Sequence, residues 1–199
     1  MLLDEINNYK VILGSQSPRR QHLLKELGIK FITKVKAGID ESYPDNLNYE
    51  EIPVYLAKHK AQYYENMLDL RTILITADTI VWLNNRVINK PQDHDDAIKI
   101  LKDLSGKKHE VLTGICLKNS VKEETFCSKT DVYFRNLSDI EIKHYVDKYR
   151  PYDKAGAYGI QEWIGYIGIQ RIDGSYFNVM GLPVQELYQK LSHFISNLK

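Results

Sequence analysis

Near the N-terminus, Gly14-Ser15-Gln16-Ser17-Pro18-Arg19-Arg20 follows the apolar run Val11-Ile12-Leu13. The stretch reads as a strand, a small-residue turn and the start of a helix. Ser17 suits an N-cap, and Pro18 suits the first helical position, where its missing N–H costs nothing. Leu23, Leu24 and Leu27 then share one face, and Gly28 ends the helix. Two arginines thus sit in a first helical turn, where the helix dipole disfavours cations. Unpaired backbone N–H groups point the same way, so together they form a site for an anion, most simply a phosphate. The same residues also suit an ordinary capped helix with two solvated arginines.

Two acids add to this. Asp78 ends the apolar run Ile73-Leu74-Ile75-Thr76-Ala77 and is followed by Thr79. Ligand sites in α/β proteins gather at strand ends, whereas a loop acid capping nearby backbone is the plainer alternative. Glu41 closes the loop Gly38-Ile39-Asp40-Glu41. Glu41 and Asp78 could together hold Mg²⁺, a hard cation that takes one or two carboxylates plus phosphate oxygens. Arg19, Arg20, Lys60 and Lys90 would then neutralise a polyphosphate, the positioning and charge work of phosphoryl transfer. Lys60 lies in an apolar helical stripe, so its amine either snorkels to water or points into a cleft. The six histidines show no zinc-ligand spacing. No nucleophile elbow or Walker-type loop is present, which leaves serine hydrolases and P-loop NTPases without support. The tyrosines are spread through strands and helices, in core roles for the most part.

The elements that must carry these groups alternate between strand and helix, an α/β pattern. Phe31 to Val35 is expected as a strand. A helix is expected from about Glu50 to Leu70, with Ile52, Leu56, Tyr63 and Met67 as its buried stripe. Ile80 to Leu83 and Arg86 to Ile88 pair over Asn84-Asn85, residues that tolerate positive φ. Asp93 caps a helix through Ala97, Ile98, Leu101 and Leu104 that Gly106 ends. Strands follow at about His109 to Leu117 and Glu124 to Phe134. Ser138 with Glu141 forms a capping box for a helix reaching about Lys148. The loop Asp153-Lys154-Ala155-Gly156-Ala157-Tyr158-Gly159-Ile160-Gln161 would let backbone approach a ligand, or simply turn the chain. Trp163 to Ile172 and Tyr176 to Met180 are expected as a hairpin over Asp173-Gly174. A last amphipathic helix is expected from about Pro183 to Leu198.

At 199 residues and a net charge of +1, the chain can bury a real core and carries no global field for nucleic acid or an acidic membrane. An anionic ligand must be held by local clusters. Cys116 and Cys127, the two cysteines, read as buried free thiols in a reducing compartment. The start of the chain has acids where a signal peptide needs a basic region, and no apolar run reaches membrane-spanning length. The expectation is a cytoplasmic protein with one domain over residues 1–199 and no linker.

Taken together, these segments resemble the Maf family of nucleoside triphosphate pyrophosphatases. The resemblance is carried by Gly14 to Arg20, Gly38 to Glu41, Leu56-Ala57-Lys58-His59-Lys60-Ala61 and Ala77-Asp78-Thr79. It continues through Lys90-Pro91, Leu104-Ser105-Gly106, Asp153 to Gln161 and Gly181-Leu182-Pro183. It implies an ITPase-like α/β fold, with an elongated mixed sheet flanked by helices and an active-site cleft between two lobes. It implies hydrolysis between the α- and β-phosphates with Mg²⁺ or Mn²⁺, and a homodimer. Asp78 matches the family's proton acceptor. Ser15, Arg19, Arg20, Glu41, Lys60 and Lys90 match the pocket lining, and Arg19, Thr79 and Gln161 match positions that separate the subfamilies. Arg19, Thr79 and Gly159-Ile160-Gln161 look like the dTTP/UTP branch. Glu162-Trp163 stands where many relatives carry glycine after the glutamine, which bears on the rim of the base pocket. A non-catalytic nucleotide-binding regulator linked to septum formation is the alternative from another class, and an inosine-type pyrophosphatase shares the chemistry but not the base.

Overall fold

The computed structural model describes residues 1–198. Its strands are β1 (Lys10–Leu13), β2 (Ile32–Thr33), β3 (Thr72–Leu83), β4 (Arg86–Ile88), β5 (Lys108–Lys118), β6 (Glu123–Phe134) and β7 (Ile169–Asp173). Its helices are α1 (Leu2–Ile6), α2 (Pro18–Glu26), α3 (Glu51–Gln62), α4 (His94–Leu104), α5 (Asp139–Tyr149), α6 (Trp163–Gly168), α7 (Tyr176–Val179) and α8 (Val184–Ser196). The strands form one mixed sheet in the order β2-β1-β3-β5-β6-β7, with β4 paired to β3. β1 is parallel to β2 and β3; the β3–β4 and β6–β7 pairs are antiparallel. The expected α/β class with a mixed sheet and helices is the observed one.

The chain divides into two compact units, the first Met1–Asp78, Thr113–Ser128 and Gly181 onward, the second Thr79–Leu112 and Lys129–Met180. In the first, β1 registers Lys10 against Thr72 and Leu13 against Ile75. Ile12, Leu74 and Cys116 meet Ala57, Ala61 and Tyr64 of the α3 segment in an interior cluster. The Thr76 hydroxyl donates to the Ala57 carbonyl at 2.7 Å within that interior, fastening α3 to β3. In the second unit, Leu101, Leu104, Val132, Tyr145, Val146 and Ile164 form a fully buried core. Each such side chain removed from water contributes about 1.5–3 kcal/mol.

Local signals worked where they act over a few residues. Ser17 accepts from the Arg20 N–H, Asp93 from Asp96, and Ser138 with Glu141 makes both halves of a capping box. Asn84 and Asn85 take φ of 51° and 60° in the β3–β4 hairpin.

Three expectations are corrected. The helix expected to reach Leu70 stops at Gln62, because Tyr64 leaves helical geometry and buries its ring, its hydroxyl donating to the Lys34 carbonyl at 3.0 Å. Tyr63 is therefore exposed and Met67 only partly buried, and the buried face is Ile52, Pro53, Leu56, Ala57 and Ala61. The expected strand from Trp163 begins as α6 instead, since Gly165 sits so tightly on the Ile160 carbonyl that a Cβ would lie 2.0 Å from its oxygen. Only Ile169–Asp173 pairs with β6. The hairpin partner from Tyr176 is the short helix α7, capped by Ser175. Asn178 within it is buried and donates to the Val111 carbonyl and the Thr130 hydroxyl, both at 3.0 Å. The N-terminal helix α1 had no counterpart in the expectations. Cys116 is buried as expected, but Cys127 is only partly so.

Candidate active site

In the first unit, α2 begins where β1 ends. Gly14 continues the ladder by donating to the Ile75 carbonyl, and the buried Ser15 hydroxyl accepts from the Ser17 N–H at 3.2 Å. This shapes the turn that delivers Arg19 and Arg20. Arg20 folds back along the sheet: Nε donates to the Gly181 carbonyl and Nη1 to the Ala77 carbonyl, both at 2.8 Å. Gly181 has φ of 105°, a conformation open to glycine. The arginine that the helix dipole disfavours is thus stabilised by two carbonyls and placed next to the residue preceding Asp78. Loss of water lowers the guanidinium pKa from its ordinary value; Asp78 and Glu41 oppose that fall, and Arg19 adds to it.

Asp78 is buried at the point where β3 passes from the first unit to the second. Its carboxylate Oδ1 accepts from Lys60 Nζ at 2.5 Å, and the same ammonium donates to Glu41 Oε1 at 2.7 Å. The two carboxylate oxygens are therefore no further apart than the sum of those distances. Of the alternatives for Lys60, the structure selects the one in which its amine meets acids: the side chain is 14% exposed and leaves the face of α3 toward β3. Asp40 does different work from its neighbour Glu41. It binds the Ser42 N–H at 2.9 Å and the Ser42 hydroxyl at 2.6 Å, bonds that hold its pKa below the usual carboxylate value. Asp40 makes the turn, and Glu41 reaches Lys60.

Thr79, Lys90 and Gln161 belong to the second unit: Thr79 is half-buried on β3 and Lys90 is exposed after β4. Gln161 lies in a turn closed by the Glu162 N–H on the Gly159 carbonyl at 3.0 Å, and its buried Oε1 has no hydrogen-bond partner. The carboxylate of Glu162 is turned to Tyr145 and to Lys154 Nζ, the latter at 3.1 Å. Burial, then the Glu162 hydrogen bond, push the Tyr145 phenol well above its ordinary pKa, so it stays a donor. Trp163 stacks edge-on with His144 at 5.0 Å. Two contributions had no signal in the residue pattern: the carbonyls of Ala77 and Gly181, which any residue type supplies, and the Tyr145–Glu162–Lys154 cluster. No set of three histidine, cysteine, aspartate or glutamate side chains able to hold a metal occurs among the described residues. No helix of the described residues is long and apolar enough to cross a membrane.

Two carboxylates, an ammonium and a guanidinium gather beside the capped start of α2 and midway along β3, which runs on past Asp78 rather than ending there. They define an α/β protein with a cluster suited to anionic oxygen, as phosphoryl chemistry requires. The model of the family described as "Maf-like protein" matches residues 10–194. The chain belongs to the Maf family. It is 54% identical over 190 residues to the dTTP/UTP pyrophosphatase of Phocaeicola vulgatus, covering 96% of this chain and 98% of that one. It is 50% identical over 195 residues to the dTTP/UTP pyrophosphatase of Porphyromonas gingivalis, covering 97% and 98%. Among solved structures, a HAM1 protein from Coxiella burnetii overlaps 93% of this chain and 99% of its own at 18% identity and a TM-score of 0.49, a loose likeness.

Proposed function

We propose that this protein is a nucleoside triphosphate pyrophosphatase that hydrolyses dTTP and UTP to the monophosphate and pyrophosphate. The half-identical relatives bearing that activity in their names, matched over nearly their whole length, support the substrate class. The observation that carries the chemistry is Lys60 held between Glu41 and Asp78 beside Arg20.

In this reading Asp78 accepts the proton of the water that attacks the α-phosphorus, the work of a positioned general base. Arg20, Arg19, Lys60 and Lys90 balance the triphosphate and the charge that grows on departing pyrophosphate. Ser15 and the start of α2 offer donors to phosphate oxygens. Glu41 and Asp78 supply the hard oxygen donors that Mg²⁺ or Mn²⁺ takes, with the remaining ligands left to phosphate and water. When bound, such an ion neutralises phosphate charge and makes a coordinated water more acidic. Gln161 and Thr79 read the base, and Arg19 stands at the third position that separates the branches. The orphaned Oε1 of Gln161 suits the N3–H of uracil or thymine, and cytosine has no hydrogen there. We place the protein in the cytoplasm, in keeping with two free thiols, and expect a homodimer.

Chromatography of products from each common triphosphate with Mg²⁺ or Mn²⁺ tests the proposal. Monophosphate plus pyrophosphate, strongest from UTP or dTTP and lost in Asp78→Asn, is the expected result. Diphosphate plus phosphate would overturn the assigned bond, and binding without any product would favour a nucleotide-sensing regulator.

A further inference from the structure

The second unit holds a cluster that no assigned role uses. Residues 159–162 form a tight turn, with the Gly159 carbonyl accepting from the Glu162 N–H at 3.0 Å and Gln161 near its corner. The Glu162 side chain folds back across that turn. A Cβ on Gly159 would lie 2.7 Å from the Glu162 carboxyl carbon and 3.0 Å from each of its oxygens, so the carboxylate rests directly on the glycine. Its Oε2 accepts from the Tyr145 hydroxyl, and that hydroxyl also accepts from the Gly159 N–H at 3.1 Å. Its Oε1 pairs with Lys154 Nζ at 3.1 Å, which in turn holds Asp153 at 2.7 Å. Both ends of the turn are thereby tied to one phenol.

The tie is anchored in rigid surroundings. Tyr145 is fully buried on α5 and stacks on Tyr149 at 5.0 Å. On the far side, Gly165 of α6 presses against the Ile160 carbonyl. Gln161 is thus held between two pinned neighbours, while its own Oε1 is buried and unpaired. A buried acceptor left without a partner is costly, and a donor on a bound base is one group that would complete it.

We propose that Glu162, acting through Tyr145 and Lys154, is a positioning residue that fixes the Gln161 amide for the base. This rests on the reading of Gln161 as the group that meets the pyrimidine. Glu162 does not touch substrate. It removes the conformational freedom that Gln161 would otherwise surrender on binding, a gain of affinity by preorganisation. Its charge is spent on Lys154 and Tyr145, so the acid brings no unpaired charge to the base.

The test is steady-state kinetics on UTP and CTP for Gln161→Ala, Glu162→Ala, Glu162→Gln, Tyr145→Phe and the double variant Gln161→Ala/Glu162→Ala. The expected result is a KM for UTP raised about tenfold in Glu162→Ala and Tyr145→Phe, with kcat within about twofold and preference over CTP reduced. Glu162→Gln, which keeps an acceptor for Tyr145, recovers part of the loss. The double variant is no worse than Gln161→Ala, because both changes act through one amide. Preference unchanged in Gln161→Ala overturns the base-reading assignment and the positioning role with it. Preference lost in Gln161→Ala but kept in Glu162→Ala and Tyr145→Phe overturns the positioning role alone. If Glu162→Ala does not fold, Tyr145→Phe removes a single oxygen and carries the same test.

Discussion

Gly114 of β5 offers a way to move the Lys60 ammonium without touching it. A Cβ at this position would fall 2.2 Å from the carbonyl carbon and oxygen of Pro53 and 2.3 Å from the Val54 nitrogen, all backbone atoms in the first turn of α3. Ordinary contact begins at 3.4 Å, so Gly114→Ala requires about 1.2 Å of movement between helix and strand. No side chain can swing aside to absorb it. Overpacking of this kind costs about 1–3 kcal/mol, which for a chain of this size lowers Tm by about 3–10 °C. The helix moves as a body and carries Lys60 with it, whose bonds of 2.5 and 2.7 Å to Asp78 and Glu41 cannot stretch by that much and survive. A 1 Å misplacement of this sort costs on the order of a hundredfold in rate. Differential scanning calorimetry and kcat/KM with UTP, measured well below both melting points, read the two effects. A Tm within 1 °C of the parent together with unchanged kcat/KM would falsify the claim that β5 sets the position of α3 (roughly, less than 0.5 kcal/mol of effect).

Other outcomes follow from single groups. Asp78→Asn should lower kcat by about 10²–10⁴ while circular dichroism stays unchanged; turnover near the parent's would remove Asp78 from the role of base. Burial lowers the pKa of His109 to about 3, and its ring contacts the Tyr158 hydroxyl at 2.8 Å. Between the ordinary value near 6.5 and about 3 the unfolded chain takes up a proton that the folded chain refuses. His109 therefore withdraws stability as pH falls through that window, by up to about 1.4 kcal/mol per pH unit, and leaves it intact above. Urea unfolding at pH 7.5 and 5.0 should show a shallower loss in His109→Gln, and equal slopes would disprove the assignment. Burial raises the Cys116 thiol to about 12, so iodoacetamide should leave it unmodified in the folded protein and label it only on unfolding, as peptide mapping would show. Manganese should bind weakly to the protein alone and far more tightly with a non-hydrolysable UTP analogue. Tight binding without nucleotide, read by electron paramagnetic resonance, would mean a ligand set beyond Glu41 and Asp78.

What residue types determine on their own is what acts within a few positions of chain. Ser17 with Pro18, Asp93 and Ser138 with Glu141 announced their helix starts, and Asn84-Asn85 its hairpin, because a cap or a two-residue turn is complete within about four residues. The order of short motifs from Gly14 to Pro183 was enough to mark the family. Which acid does what was not legible. Asp40 and Glu41 are neighbours, yet one closes a turn on Ser42 and the other reaches Lys60, 19 residues away. Lys60 was equally a snorkelling surface amine until the fold put Asp78, 18 residues on, within 2.5 Å. Arg20 depends on carbonyls 57 and 161 positions along the chain, and carbonyls leave no trace in residue type. The misread segments have the same cause. Aromatic and β-branched residues made Trp163–Gly168 and Tyr176–Val179 read as strands, and helix was imposed by Gly165 against Ile160 and by Asn178 bonded to Val111 and Thr130. Local chemistry determined which groups this protein has to offer phosphate; only chain closure over long separations decided which of them meet.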